Sequence, residues 1–140
     1  EVALIHGWID GHAKPFDEPY WLQRFTPRRA RSKWSRINRG RAEKLIKYGA
    51  MKPAGLKEVE AAKADGRWEA AYAGPKTAEP PEDLVAALKR NKAARLFFET
   101  LDSRNRFSII YRVSDAKKPE TRARRIDQFV TMLAEGKKIY

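Results

Sequence analysis

Arginine crowds one stretch of this sequence. Between positions 24 and 47 stand Arg24, Arg28, Arg29, Arg31, Lys33, Arg36, Arg39, Arg41, Lys44 and Lys47, with Glu43 as the sole acid. Ten cations and one anion leave +9 there, out of a formal +12 for all 140 residues. Charges of one sign packed this closely repel one another, whereas a solvated surface ordinarily mixes signs. A negatively charged guest would relieve the repulsion. The planar guanidinium fork suits phosphate and carboxylate better than a lysine ammonium does. Phe25 and Trp34 are interleaved with these cations, and an aromatic ring in such company can stack on a base. The competing reading makes both rings core anchors and leaves the arginines to keep the protein soluble.

A second basic run covers Lys117, Lys118, Pro119, Glu120, Thr121, Arg122, Ala123, Arg124 and Arg125, with a net +4. Proline at a first helical position would place these cations around a helix N-terminus, where the helix dipole disfavours them. An oxyanion on the free N–H groups would reverse that penalty. Thr121, Arg122 and Arg125, with Lys117 and Lys118, are therefore the candidate contacts. The plainer reading pairs the arginines with Glu120 and Asp127 across one or two turns, and uses Arg122 or Arg125 to buttress the hairpin.

Other chemistries find little support. The chain has no cysteine, which removes disulfides, thiolate zinc sites and cysteine nucleophiles. His6, Asp10 and His12 lie close in sequence, but glycines at 7 and 11 break any common helical face, and no metal site is expected. Ser114-Asp115-Ala116-Lys117 fits the S-x-x-K pattern of penicillin-recognising enzymes without the companion motifs that chemistry needs. There is no G-x-S-x-G elbow, Walker A loop or G-x-G-x-x-G turn. The expectation is a non-enzymatic protein with no catalytic residues and no cofactor. A small enzyme or ligand-binding domain would instead need a pocket between Trp8, Tyr20, Trp21 and the helices.

The elements that carry these residues follow from periodicity and punctuation. Residues 8–27 hold aromatic and β-forming residues interrupted by glycine and proline, with Asp17-Glu18-Pro19 between two extended candidates. They predict an antiparallel hairpin or short meander. From Ser35 the period becomes helical; Asn38 is the expected N-cap, Ala42, Leu45 and Ile46 line one face, and Gly49 closes the segment. Pro53 opens another helix with Gly66 beyond its end. Residues 73–81, with three prolines and a glycine, read as a linker. Beyond it, helices are expected over 82–90, from an Asn91 cap, from a Ser103 cap and over 121–135, although residues 107–113 would also pass for a strand. Residues 1–7 look like the last turns of a helix, so an N-terminal portion is expected to be missing. The fold class is α+β: a part over 1–72 with the basic segment, a linker over 73–81, and an all-helical C-terminal part over 82–140.

Several phrases resemble one bacterial family. They are Gly7-Trp8-Ile9-Asp10-Gly11, Phe25-Thr26-Pro27-Arg28-Arg29, Ser32-Lys33-Trp34-Ser35 and Met51-Lys52-Pro53-Ala54-Gly55. Ala64-Asp65-Gly66-Arg67-Trp68, the Pro80-Pro81 helix start and Ala116-Lys117-Lys118-Pro119-Glu120-Thr121-Arg122 with Arg125 and Ile126 follow in the same order. The sequence is similar to the YdeI/OmpD-associated family, also labelled bacteriocin-protection proteins, over essentially its whole length. The resemblance implies an α+β body with a helical C-terminal part and an association with resistance to antimicrobial peptides. It implies no catalytic residues and no cofactor.

The partner expected from charge is nucleic acid, RNA or DNA, held by its phosphates, or another polyanion. An acidic protein or an anionic lipid is the alternative. No apolar run is long enough to span a membrane and no signal peptide is visible, so the expected location is cytoplasmic.

Overall fold

The computed structural model describes residues 1–140, which divide into two compact units, Glu1–Tyr72 and Ala73–Tyr140. Each unit carries fifteen basic and nine acidic residues. Their equal charge makes the pairing of individual cations, rather than the total, the informative quantity.

In the first unit a single turn, α1 (Val2–Ile5), leads into an antiparallel hairpin, β1 (Trp8–Asp17) and β2 (Tyr20–Pro27). Two helices follow, α2 (Arg36–Lys47) and α3 (Pro53–Ala64). Gly7 turns the chain from α1 into β1 at φ +77°, a backbone region that glycine enters at no steric cost. The hairpin register pairs Trp8 with Pro27, Asp10 with Phe25 and Asp17 with Tyr20, with bulges near positions 11–12 and 16.

The helix start differs from the expected Asn38 cap. Ser35 is the N-cap, and its hydroxyl accepts the Asn38 backbone N–H at 3.2 Å, so Asn38 is already inside the helix. Pro53 occupies the first turn of α3, as its fixed φ favours. Gly49 and Gly66, both at positive φ, follow the two helices.

The core of this unit is Leu4, Trp34, Ala42, Met51, Val59, Ala62, Trp68 and Ala71. Trp34 and Trp68 meet edge to face with centroids 4.8 Å apart, an arrangement that suits the ring quadrupoles. Gly55 lets α3 approach α1: a Cβ there would lie 2.3 Å from the Ile5 carbonyl oxygen. The hairpin stands outside this core, for none of residues 8–27 is buried.

The second unit contains α4 (Glu82–Arg90), α5 (Lys92–Thr100), α6 (Ser103–Ser114) and α7 (Pro119–Ala134). Residues 107–113 are helical, which settles the strand ambiguity. Asp102, rather than Ser103, caps α6: its carboxylate accepts the Asn105 N–H at 2.7 Å, and this bond holds the Asp102 carboxyl below its ordinary pKa. Asn91 caps α5 as expected, accepting from Ala94 N–H at 3.0 Å. Leu84, Leu88, Phe98, Ile109, Val113, Ile126 and Leu133 are among the buried side chains that form the core. Asn105 is buried with them, and its Oδ1 accepts the backbone N–H groups of Ile139 and Tyr140 at 3.1 and 3.0 Å. A single polar side chain thus fastens the C-terminal residues to α6.

Candidate anion-binding surface

The basic segment of the first unit divides into cations used internally and cations left outward. Arg28 belongs to the first group. It follows the last residue of β2, its backbone N–H donates to the Gly7 carbonyl at 3.1 Å, and its side chain folds inward over Trp34. The guanidinium carbon lies 3.7 Å from the ring centroid, and only 7% of the residue is exposed. Its Nη1 donates to the Lys33 carbonyl at 3.4 Å, while Nε and Nη2 are buried with no acceptor. Desolvation lowers its pKa from the ordinary guanidinium value, with the charges of Glu58 and Asp10 acting in the opposite sense. The ring face substitutes for solvent on one side of the ion. Arg28 is consequently a packing element of the core and not an outward contact.

Trp34 requires the same correction. Its exposure is 1%, and its ring is covered by Arg28 and Trp68. No base can reach it. Sequence alone left this open, because an indole in a loop has no periodicity to show which way it faces. Phe25, by contrast, is exposed.

The segment after Trp34 runs beside residues 67–72. Tyr72 N–H donates to the Trp34 carbonyl at 3.0 Å, and Arg36 N–H donates to the Tyr72 carbonyl at 2.9 Å. Two further arginines are spent on this seam. Arg36 Nε donates to the Ala71 carbonyl at 3.4 Å. Arg39 donates to Glu43 at 3.0 Å, to Glu69 at 3.2 Å and to the Trp68 carbonyl at 3.2 Å. Its pKa is raised, chiefly by the bond to Glu43. Arg36 and Arg39 therefore position α2 and are not the freely outward anion contacts expected of them.

The remaining cations face solvent. Arg29 and Arg31 ride a tight turn in which Ser32 N–H donates to the Arg29 carbonyl at 2.8 Å and Arg29 N–H donates to the Ser32 hydroxyl at 2.9 Å. Arg67 pins that turn: its Nη1 donates to the Ser32 carbonyl at 2.9 Å while its Nε bonds to Asp65 at 2.7 Å. The bond to Arg67 lowers the Asp65 pKa. Arg67 was missed as a supporting residue, since the only local signal was its place two residues after an aspartate. Arg24 on β2 and Arg41, Lys44 and Lys47 along α2 are exposed, and none of them has a carboxylate within ion-pair distance. The same holds for Arg29 and Arg31. Lys33 is exposed as well. Lys44 and Lys47 lie in the last turn of α2, where the helix dipole favours a cation.

An open cleft lies beside the hairpin. Val2, Ala3, His6, Trp8 and Phe25 line about 580 Å³ of it. A smaller recess of about 180 Å³ adds Asp10, Gln23, Asn38 and Arg41. Tyr20 and Trp21 line neither of these two recesses. His6, Asp10 and His12 do not converge with a further ligand into a group able to hold a metal ion.

In the second unit the basic run has been put to structural use. Pro119 starts α7. Arg122 grips Asp83 of α4 with both sides of its fork, Nη2 to Oδ1 at 2.8 Å and Nε to Oδ2 at 2.5 Å, and its Nη1 donates to the Val113 carbonyl at 3.0 Å. The pairing raises the Arg122 pKa and lowers that of Asp83. Arg125 Nη1 donates to the Arg112 carbonyl. Both arginines are ties between elements. Their partners come from α4 and α6, not from the neighbouring Glu120 and Asp127. Thr121 is half-buried; Lys117 and Lys118 are exposed ahead of the helix.

The fold and this surface define a small α+β protein with a first unit that pairs a hairpin with two helices and a helical second unit. Residues 77–136 match the family described as Bacteriocin-protection, YdeI or OmpD-Associated. Residues 1–58 match a separate family described as a domain of unknown function. The match to the YdeI/OmpD-associated family is therefore confined to residues 77–136, and the phrases between Gly7 and Trp68 that resemble it lie outside the matched residues. No curated protein and no solved structure matches the chain. No helix is long and apolar enough to cross a membrane.

Proposed function

We propose that this chain is a non-enzymatic anion-binding accessory protein whose first unit holds the phosphate backbone of a nucleic acid. One observation carries the reading: Arg24, Arg29, Arg31, Arg41, Lys44 and Lys47 are exposed without a carboxylate partner, although the unit contains nine acids. Phosphate oxygens would supply the missing counter-charge, and guanidinium groups would bind them in pairs. Backbone contacts of this kind carry affinity without sequence preference. Trp34 plays no part in base recognition. Lys117 and Lys118 remain candidates for a separate contact from the second unit.

The description of the matched family favours a second reading, protection against antimicrobial peptides by docking on an acidic protein or an anionic lipid. Fluorescence anisotropy with a labelled single strand and its duplex, beside co-sedimentation with neutral and anionic vesicles, separates the two. The phosphate-backbone reading expects oligonucleotide binding that the combined change Arg29→Ala, Arg31→Ala and Arg41→Ala weakens about tenfold or more. Binding confined to anionic vesicles would overturn it in favour of the lipid version.

A further inference from the structure

The hairpin has the opposite character from the segment that follows it. Residues 8–27 hold Lys14 and Arg24 against Asp10, Asp17 and Glu18, a net of −1; residues 28–47 hold nine cations against Glu43, a net of +8. At the far end of the hairpin Phe16, Tyr20, Trp21 and Leu22 are 66%, 66%, 68% and 44% exposed. Isolated two-stranded hairpins are marginal in water, and clustered exposed apolar side chains mark a surface that another body covers. A polyanion is a poor occupant, because Asp17 and Glu18 stand at the turn. The suitable occupant is rich in guanidinium and poor in carboxylate.

Such a surface exists on this same chain. We propose that the hairpin end of one copy docks on the cation-rich segment, residues 29–47, of a second copy. Phe16, Tyr20 and Trp21 would stack on the outward arginines, and Asp17 and Glu18 would pair with Arg29 and Arg31. The chain already uses guanidinium-on-indole packing internally, with Arg28 at 3.7 Å from the Trp34 ring. Stacking on aromatic faces distinguishes arginine from lysine. Because each copy has one hairpin and one such segment, a reciprocal exchange closes as a two-fold dimer. The inference does not depend on nucleic-acid binding, although the same cations serve both, so an oligonucleotide and a second copy compete.

Sedimentation equilibrium at low salt tests it, over micromolar to sub-millimolar protein. The expected result is a concentration-dependent rise toward twice the monomer mass. Phe16→Ala with Trp21→Ala, and separately Asp17→Lys with Glu18→Lys, should each weaken association about tenfold or more. Those side chains are exposed, and circular dichroism checks that the fold persists. A mixture of the Asp17→Lys/Glu18→Lys variant with an Arg29→Glu/Arg31→Glu variant should recover association that neither shows alone. A monomer at every concentration, association that ignores the hairpin changes, or a mixture without recovery would each overturn the proposal. Oligonucleotide binding by the hairpin variants is read separately, so failure here leaves the phosphate reading standing or falling by itself.

Discussion

The two basic runs, residues 24–47 and 117–125, look alike as strings of letters and behave differently as matter. In the second, Arg122 is locked to Asp83 and Arg125 to the Arg112 carbonyl, so its most forked cations are consumed in joining helices. In the first, Arg28, Arg36 and Arg39 are consumed in the same manner, while Arg24, Arg29, Arg31 and Arg41 keep their guanidinium groups in solvent without a counter-charge. Local net charge therefore measures supply, and pairing decides what remains for a partner.

The sharpest way to break this comparison is to test the inward side of the first run. Trp34→Ala removes a ring that touches both Arg28 and Trp68, and should cost about 3–5 kcal/mol in urea unfolding, as truncation of a buried aromatic does. A change small enough to suit a surface residue would return Trp34 to the list of contacts. Gly55→Ala comes next. Its added carbon would meet the Ile5 carbonyl, a backbone atom that cannot swing away, and overpacking of this kind costs about 1–3 kcal/mol by thermal or chemical unfolding.

In the second run, Arg122→Ala should cost about 1 kcal/mol, a figure kept low because both partners are partly exposed. The pH dependence follows from the same pair. Asp83 has a folded pKa below its unfolded one, so its contribution is fully present above the unfolded carboxylate range, near pH 4, and is lost as pH falls through the folded value. Asp83→Asn should flatten that part of the acid-unfolding curve. An unchanged curve would show the tie to be idle.

Arg28→Met sharpens the distinction further. A buried cation with two N–H groups lacking acceptors is replaced by an apolar chain of comparable length, and stability should change by less than about 1 kcal/mol or rise. The smallest stability effect belongs to Arg29→Ala with Arg31→Ala, each within about 0.5 kcal/mol of wild type.

Local chemistry was legible in the sequence. The hairpin around Asp17-Glu18-Pro19, the prolines that open α3 and α7, and the glycines after α2 and α3 all rest on contacts within a few residues. The caps at Ser35 and Asp102 fell beside the expected positions because neighbouring residues of similar capping ability compete, and only backbone geometry decides between them. The ties of Arg36, Arg39 and Arg122 were not legible. Apart from the local Arg39–Glu43 pair and the Val113 carbonyl nine residues before Arg122, their partners Ala71, Trp68, Glu69 and Asp83 lie twenty-nine to thirty-nine residues away, and nothing in spacing announces an arginine that will meet a distant carbonyl or carboxylate. For the same reason the run of ten cations overstated the available surface.

The central claim is tested most directly by the salt dependence of oligonucleotide affinity in three proteins: wild type, the outward variant Arg29→Ala/Arg31→Ala/Arg41→Ala, and the inward variant Arg28→Met. The logarithmic slope should flatten by about 0.7 per lost phosphate contact on a single strand, or about 0.9 on duplex, in the outward variant. It should stay at the wild-type value in the inward one. Equal slopes in all three would contradict the assignment of these arginines to a bound anion.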